Sequence, residues 1–138
     1  MEDNKLFIDT NIILDILDEK RISHNSSKKF MQNCLSDEIT MAISDDIITT
    51  VYYIAQKTVE RNALLEFINF LNKNFIILSF DNHVIDEAIK NCLENSTYDF
   101  EDTLQAVCAK TNNYKTIITN DKRFPKIDGI KLIQTDFI

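Results

Sequence analysis

Asp9 closes the short apolar run Leu6-Phe7-Ile8 and is followed at once by Thr10, Asn11 and the apolar Ile12-Ile13-Leu14. Two acidic clusters answer it late in the chain: Asp99-Phe100-Glu101-Asp102, and Asp121 after Ile117-Ile118-Thr119-Asn120. A strand that ends in Asp and turns into a helix aims that carboxylate out of its C-terminal edge, where open parallel α/β sheets bind ligands. Two carboxylates about 5 Å apart repel by roughly 3 kcal/mol at an effective dielectric of 20. Three that converge would take up protons at neutral pH unless a divalent cation neutralised them. Oxygen donors without His or Cys suit Mg²⁺ or Mn²⁺ better than zinc. These residues therefore predict a metal-dependent enzyme acting on phosphate esters.

The two late clusters differ in how a helix would present them. On a helix over 99–112, Phe100, Leu104, Val107 and Cys108 fall on one side and Asp99, Asp102, Ala106 and Ala109 on the other. Small alanines beside the two aspartates let that face lie close against another element, which a solvated face does not need. Asp99 also fits as the N-cap of this helix, and the two roles are compatible. Asp102 is the stronger candidate for chemistry, while Glu101 points elsewhere and is read as surface. Asp121 reads either as a ligand or as a turn residue after a strand. Asp9 could cap the next helix, unless Thr10 or Asn11 takes that task.

The elements that must place these groups alternate. Apolar runs predict strands at 5–9, 40–43, 75–78, 116–118 and 131–133. Helical spacing predicts helices over 11–18, 23–35 (inner stripe Phe30, Met31, Cys34, Leu35), a long one from Ser44 as cap (Ile47, Ile48, Val51, Tyr52, Ala55, Val59), 61–72 (Leu64, Leu65, Ile68, Leu71) and 82–94 (Ile85, Ala88, Ile89, Cys92). Such alternation predicts an α/β fold: a three-layer α/β/α sandwich around a mainly parallel sheet of about five short strands, in a single domain over 1–138.

Composition narrows the class. One Gly and one Pro in 138 residues disfavour a many-turned all-β fold. No apolar stretch approaches the roughly 18 residues of a membrane span, and the first residues lack a secretion signal, so a cytoplasmic protein with no membrane partner is expected. Cys34, Cys92 and Cys108 are odd in number, far apart and among apolar neighbours, which predicts buried free thiols. His24 and His83 are expected at the surface, as are Asp3, Asp15, Asp18 and Glu19. A net charge of −7 argues against simple electrostatic capture of nucleic acid. It does not exclude a nuclease, because the metal brings positive charge into the site.

Phe7-Ile8-Asp9-Thr10-Asn11, then Asp102 leading Thr103-Leu104-Gln105-Ala106-Val107-Cys108-Ala109, then Thr119-Asn120-Asp121-Lys122-Arg123-Phe124 together resemble the motifs of PIN domains. These are metal-dependent ribonucleases that include the VapC-type toxins of toxin–antitoxin pairs. The resemblance spans nearly the whole chain. It implies a compact α/β/α sandwich, Mg²⁺ or Mn²⁺ held by Asp9, Asp102 and Asp121 with Asp99 as a further acid, and an RNA substrate. It also implies a possible antitoxin partner and a homodimer. Thr10, Asn11, Thr119, Lys122 and Arg123 are then candidates for contacting substrate. The family usually carries a Glu about six residues past the Ser that opens the helix after the second strand; here that place is Thr50. Two other readings stay open: a PIN-like domain that binds RNA or protein without cutting, and a haloacid-dehalogenase-like phosphatase. The latter needs a second Asp where Asn11 stands.

Overall fold

The computed structural model describes residues 4–137. Five strands form one sheet in the order β3-β2-β1-β4-β5, and all four pairings are parallel. They are β1 (Lys5–Ile8), β2 (Thr40–Ser44), β3 (Ile76–Leu78), β4 (Thr116–Ile118) and β5 (Lys131–Ile133). Six α-helices connect them: α1 (Thr10–Leu17), α2 (His24–Ser36), α3 (Asp46–Ala55), α4 (Arg61–Asn74), α5 (Asn82–Glu94) and α6 (Phe100–Thr111). β1 lies at the centre. The chain builds outward to β2 and β3 on one side, then returns to place β4 and β5 on the other, so its order reverses between β1 and β4.

Alternation along the strands divides the core into two layers. Leu6, Ile8, Met41, Ile43 and Ile118 face a cluster with Ile12, Ile13, Phe30, Met31, Ile47 and Leu71, which come from α1 to α4. Phe7, Ala42 and Ile117 face the opposite way and meet Ala106 and Ala109 of α6. α5 packs outside α6, joining Val84 and Ala88 to Val107 and Cys108. The expected three-layer arrangement is the one observed. α6 ends through Asn112 and Asn113, the latter at φ 66°, a left-handed position that Asn tolerates at the exit of a helix.

Several side chains lie elsewhere than periodicity suggests. Ile85 and Ile89, expected on the inner stripe of α5, are exposed at 38% and 43%. That helix packs on its neighbour through the smaller Val84 and Ala88, which permits a closer approach and turns the two isoleucines outward. Leu35 and Leu65 are likewise exposed, and Phe67 takes the place of Leu65 against the core. Val59 lies beyond the end of α3. Ser44 is the last residue of β2 rather than a helix cap, and its hydroxyl donates to Asp46 instead. Of the three thiols, Cys34 and Cys108 are buried as expected, but Cys92 is only partly covered. Among the described residues, no helix is long and apolar enough to cross a membrane. Asp3 lies outside the described residues.

Candidate active site

Asp9 leaves β1 at the point where strand order reverses, the usual ligand crevice of an open parallel sheet. Its backbone N–H donates to the Ile118 carbonyl at 3.0 Å, which ties it to β4. Its side chain is buried, at 1% exposure. Oδ2 accepts a hydrogen bond from Thr119 Oγ1 at 2.8 Å, whereas Oδ1 is buried with no partner. Asp9 occupies the N-cap position of α1 without a side-chain capping bond, so its carboxylate is not consumed by the helix. Burial pushes its pKa up to about 6, with Asp121 adding to the rise; Thr119 pulls the other way, as do the N–H groups of Thr10 and Asn11, which lie near the carboxylate but outside hydrogen-bond geometry.

Asp102 arrives from α6. Asp99 caps this helix, accepting the Asp102 N–H at Oδ2 over 3.0 Å, and so fixes the first turn that carries Asp102. Ala106 and Ala109, both fully buried, let α6 lie directly on Phe7 and Ala42 and bring Asp102 toward the end of β1. Desolvation raises the Asp102 pKa to about 7, and Asp9, Asp99, Asp121 and Glu101 each push it further in that direction. Four carboxylates acting on a fifth mark one shared pocket.

Asp121 comes from the loop after β4. Its N–H donates to Thr119 Oγ1 at 3.1 Å, so Thr119 receives from Asp121 while donating to Asp9. Asn120 turns the other way and binds the Thr135 N–H through Oδ1. Among the described residues, no three His, Cys, Asp or Glu side chains are already drawn in tightly enough to grip an ion. The donor set nonetheless fits a hard divalent cation. It is made of carboxylate oxygens, and the unpartnered buried Oδ1 of Asp9 is a lone-pair donor that nothing in the protein satisfies.

Residues 5–123 match the family model of the PIN domain. The chain belongs to the PIN-domain family. It is 36% identical over 140 residues to ribonuclease VapC1 of Aquifex aeolicus (strain VF5), covering 99% of this chain and 94% of that protein. Solved structures of the same fold include VapBC2 from Rickettsia felis bound to a DNA fragment from their promoter, with TM-score 0.73 and 19% identity over 94% of this chain and 98% of that one. VapC20 of Mycobacterium tuberculosis, a sarcin-ricin-loop-cleaving toxin, aligns with TM-score 0.68 and 10% identity over 81% of this chain and 86% of that one. Membership of this family sets aside the phosphatase reading.

Within the PIN domain, other candidates have settled into definite surroundings. Thr10 is buried, and its hydroxyl accepts Gln105 Nε2 at 2.7 Å; it holds α1 to α6 and is not open to substrate. Asn11 is partly exposed and lies 3.4 Å from an Arg21 guanidinium nitrogen. Lys122 and Arg123 are exposed beside Asp121, and the Arg123 N–H donates to Asp121 Oδ1. Thr50 is half-buried on α3. The acids nearest its helix are Asp45 and Asp46. Burial raises the Asp46 pKa, and Asp46 in turn raises that of Glu101, whose carboxyl is already partly desolvated. Glu101 is exposed, as expected of a surface residue, and feels both Asp46 and Asp99.

Two sets of residues had escaped notice. Asp15, expected as exposed charge, is 4% exposed. It pairs with Arg21 Nε at 2.7 Å and accepts Ser27 Oγ at 3.0 Å, while its carbonyl meets His24 Nδ1, which is therefore not a free surface group. Asn11 and Asp15 stand four apart on one helix face, the one signal that could have shown Asp15 facing the crevice. Gln105 is the other omission. It is a lone amide in an apolar run one turn beyond Asp102, fully buried, with Oε1 unpartnered.

Proposed function

We propose that this PIN domain is a metal-dependent endoribonuclease and the toxin of a toxin–antitoxin pair. The carrying observation is the buried Asp9 carboxylate, which has one oxygen held by Thr119 and the other unsatisfied, and lies in electrostatic contact with Asp102 and Asp121. Support also comes from ribonuclease VapC1, similar along almost its entire length. An antitoxin partner is proposed because structural neighbours include toxin–antitoxin complexes, a homodimer from the family resemblance, and a cytoplasmic location from the three unpaired cysteines.

Asp9, Asp102 and Asp121 would hold Mg²⁺ or Mn²⁺, with Asp99 as a further acid. When bound, the cation would supply Lewis-acid polarisation of the phosphate and a lowered pKa for water. The chain's own groups do the rest. Thr119 fixes the rotamer of Asp9. Asp121, half-exposed at the mouth, orients the attacking water and accepts its proton. The water oxygen bonds to phosphorus, the bond from phosphorus to the leaving ribose oxygen breaks, and that oxygen takes a proton from solvent. Lys122 and Arg123 balance charge on the RNA backbone.

The test is cleavage of RNA by the purified protein with Mg²⁺ or Mn²⁺, with chelator, and with Asp9→Asn or Asp102→Asn. Cleavage lost with chelator and in both variants is expected. Undiminished turnover in either variant overturns the assignment. RNA binding without cleavage by the wild type, under any divalent ion, would favour the non-cutting PIN-like reading.

A further inference from the structure

The ladder between β4 and β5 ends where Ile118 faces Ile133. Just beyond it, the Thr119 N–H still reaches the Ile133 carbonyl at 3.0 Å. Asn120 and Thr135 then keep the ladder's offset of 15 residues, but through a side chain. Asn120 Oδ1 accepts the Thr135 N–H at 3.0 Å, and Nδ2 donates to Thr135 Oγ1 at 3.0 Å. An amide side chain offers the same kinds of donor and acceptor as a peptide group. Asn120 therefore carries the pairing of the two segments past the last strand residue. The Thr135 N–H can only donate, which also fixes which end of the amide is oxygen.

The same amide has a second hold. Nδ2 lies 3.4 Å from Oγ of Ser27, a fully buried residue early in α2. Ser27 in turn donates to Asp15 Oδ2 at 3.0 Å, and Ser26 Oγ meets Thr135 Oγ1 at 3.0 Å. One side chain thus joins the loop after β4 to α2 and to the short 3-10 turn Thr135–Phe137. Thr135 is only 4% exposed, so its bonds form largely out of water.

Asp121 follows directly. Its N–H donates to Thr119 Oγ1 at 3.1 Å, its Oδ1 accepts the Arg123 N–H at 2.9 Å, and its carbonyl accepts the Phe124 N–H. All of these bonds stay inside the loop. The bonds that reach other parts of the fold belong to its neighbours: Thr119 to Asp9 on the site side, Asn120 to Thr135 and Ser27 on the other. A loop residue without such ties shares the mobility of its loop. A catalytic group needs to be held within about 0.5 Å.

Resting on the ribonuclease reading above, we propose that Asn120 is a positioning residue for Asp121, clamping its loop to Thr135 and Ser27 so that the Asp121 carboxylate is presented to the pocket in one place. Asn120 acts on turnover and not on RNA affinity, because it works only through the group that orients the attacking water. Asn suits the task. Asp has the reach but lacks the N–H donor, and Gln carries both groups one carbon too far.

The test compares wild type, Asn120→Ala, Thr135→Ala and the double variant, with Leu64→Val as a control that loosens the buried core on α4 away from the site. On a fluorescent RNA with Mg²⁺ or Mn²⁺, Asn120→Ala should lower kcat about tenfold and leave KM within about twofold. Leu64→Val should lower Tm without changing kcat of the folded protein. Thr135→Ala should cost less, and little further once Asn120 is Ala, since both cut the same clamp. In the metal-free protein, amide hydrogen exchange across 121–124 should quicken about tenfold in Asn120→Ala, while α5 amides keep their rates. A kcat within about twofold of wild type, a loss matched by Leu64→Val, or unchanged exchange across 121–124 overturns the proposal. If Asn120→Ala does not fold, Thr135→Ala is judged by the same criteria. Exchange needs neither RNA nor metal, so it decides the role of Asn120 even where wild type leaves RNA uncut, the result that would sink the ribonuclease reading instead.

Discussion

Thr119 Oγ1 donates to Asp9 Oδ2 across 110 residues of sequence, at 2.8 Å and out of contact with solvent. That bond opposes the desolvation of Asp9, and it is part of why the Asp9 pKa stops at about 6. Replacing Thr119 with Val removes the donor while nearly preserving volume. We expect RNA cleavage at neutral pH to fall about tenfold, in keeping with loss of a hydrogen bond to a charged group. The acid limb of the pH–rate profile should also move to higher pH, because Asp9 then holds its proton more tightly. Thr119→Ser, which keeps the hydroxyl, should restore most of the rate. A pH–rate series on both variants checks this.

The metal-free protein should become less stable as pH rises from about 4 to 7. Asp9 and Asp102 have folded-state pKa values of about 6 and about 7, above the 3.8 of an exposed Asp. An acid whose pKa is raised by folding stabilises the native state while protonated, and this contribution is lost as pH climbs from the unfolded to the folded value. Asp102→Asn should accordingly raise metal-free stability at pH 7.5 by about 1–2 kcal/mol, allowing for solvent screening of its half-covered carboxyl. Mn²⁺ should raise the Tm of the wild type more at pH 7.5 than at pH 5. Melting curves at the two pH values, with metal and with chelator, give the comparison.

Ala106→Leu or Ala109→Leu should damage both fold and site. Each alanine is fully buried where α6 meets Phe7 and Ala42, leaving no room for three added carbons. Overpacking of this kind costs about 1–3 kcal/mol. The helix must lift, and Asp102 lifts with it. Cleavage should decline beyond what the loss of folded fraction explains, measured under conditions where the variant is still native by circular dichroism.

Arg21→Ala should destabilise the protein by about 2 kcal/mol, since it leaves the Asp15 carboxylate buried with Ser27 as its remaining side-chain donor. Asp15→Asn with Arg21→Ala should recover much of that loss, because the buried group is then neutral. Urea unfolding of the single and double variants measures the recovery.

Local pattern carried most of the architecture. β4 and β5 have the bounds expected from their apolar runs, and the alanines of α6 announced a close contact before any coordinate did. What local pattern could not carry was rotation about a helix axis. Ile85, Ala88, Ile89 and Cys92 make as good a stripe as Val84 and Ala88, and only the presence of α6 decides between them. The same holds for Asp15. An aspartate in an eight-residue helix looks solvated until the chain turns back and delivers Arg21 and Ser27 onto it. Asp9 and Asp121 stood out because each follows a buried strand, and Asp102 because it shares a helix face with the buried Ala106. Gln105 did not, because its surroundings are set by packing between segments far apart in the chain.

The pairing of Phe7 with Ile117 and Ile8 with Ile118 sets β1 beside a strand that the chain makes much later, with Asp9 and Thr119 meeting across a separation of 110 residues. During translation, the segment bearing Asp9 must wait for more than a hundred later residues before its neighbouring strand exists. A nascent chain that stops short of the loop after β4 thus lacks both Thr119 and Asp121, and with them the hydrogen bond that holds the Asp9 carboxylate. Assembly of the acidic pocket therefore waits on the emergence of β4.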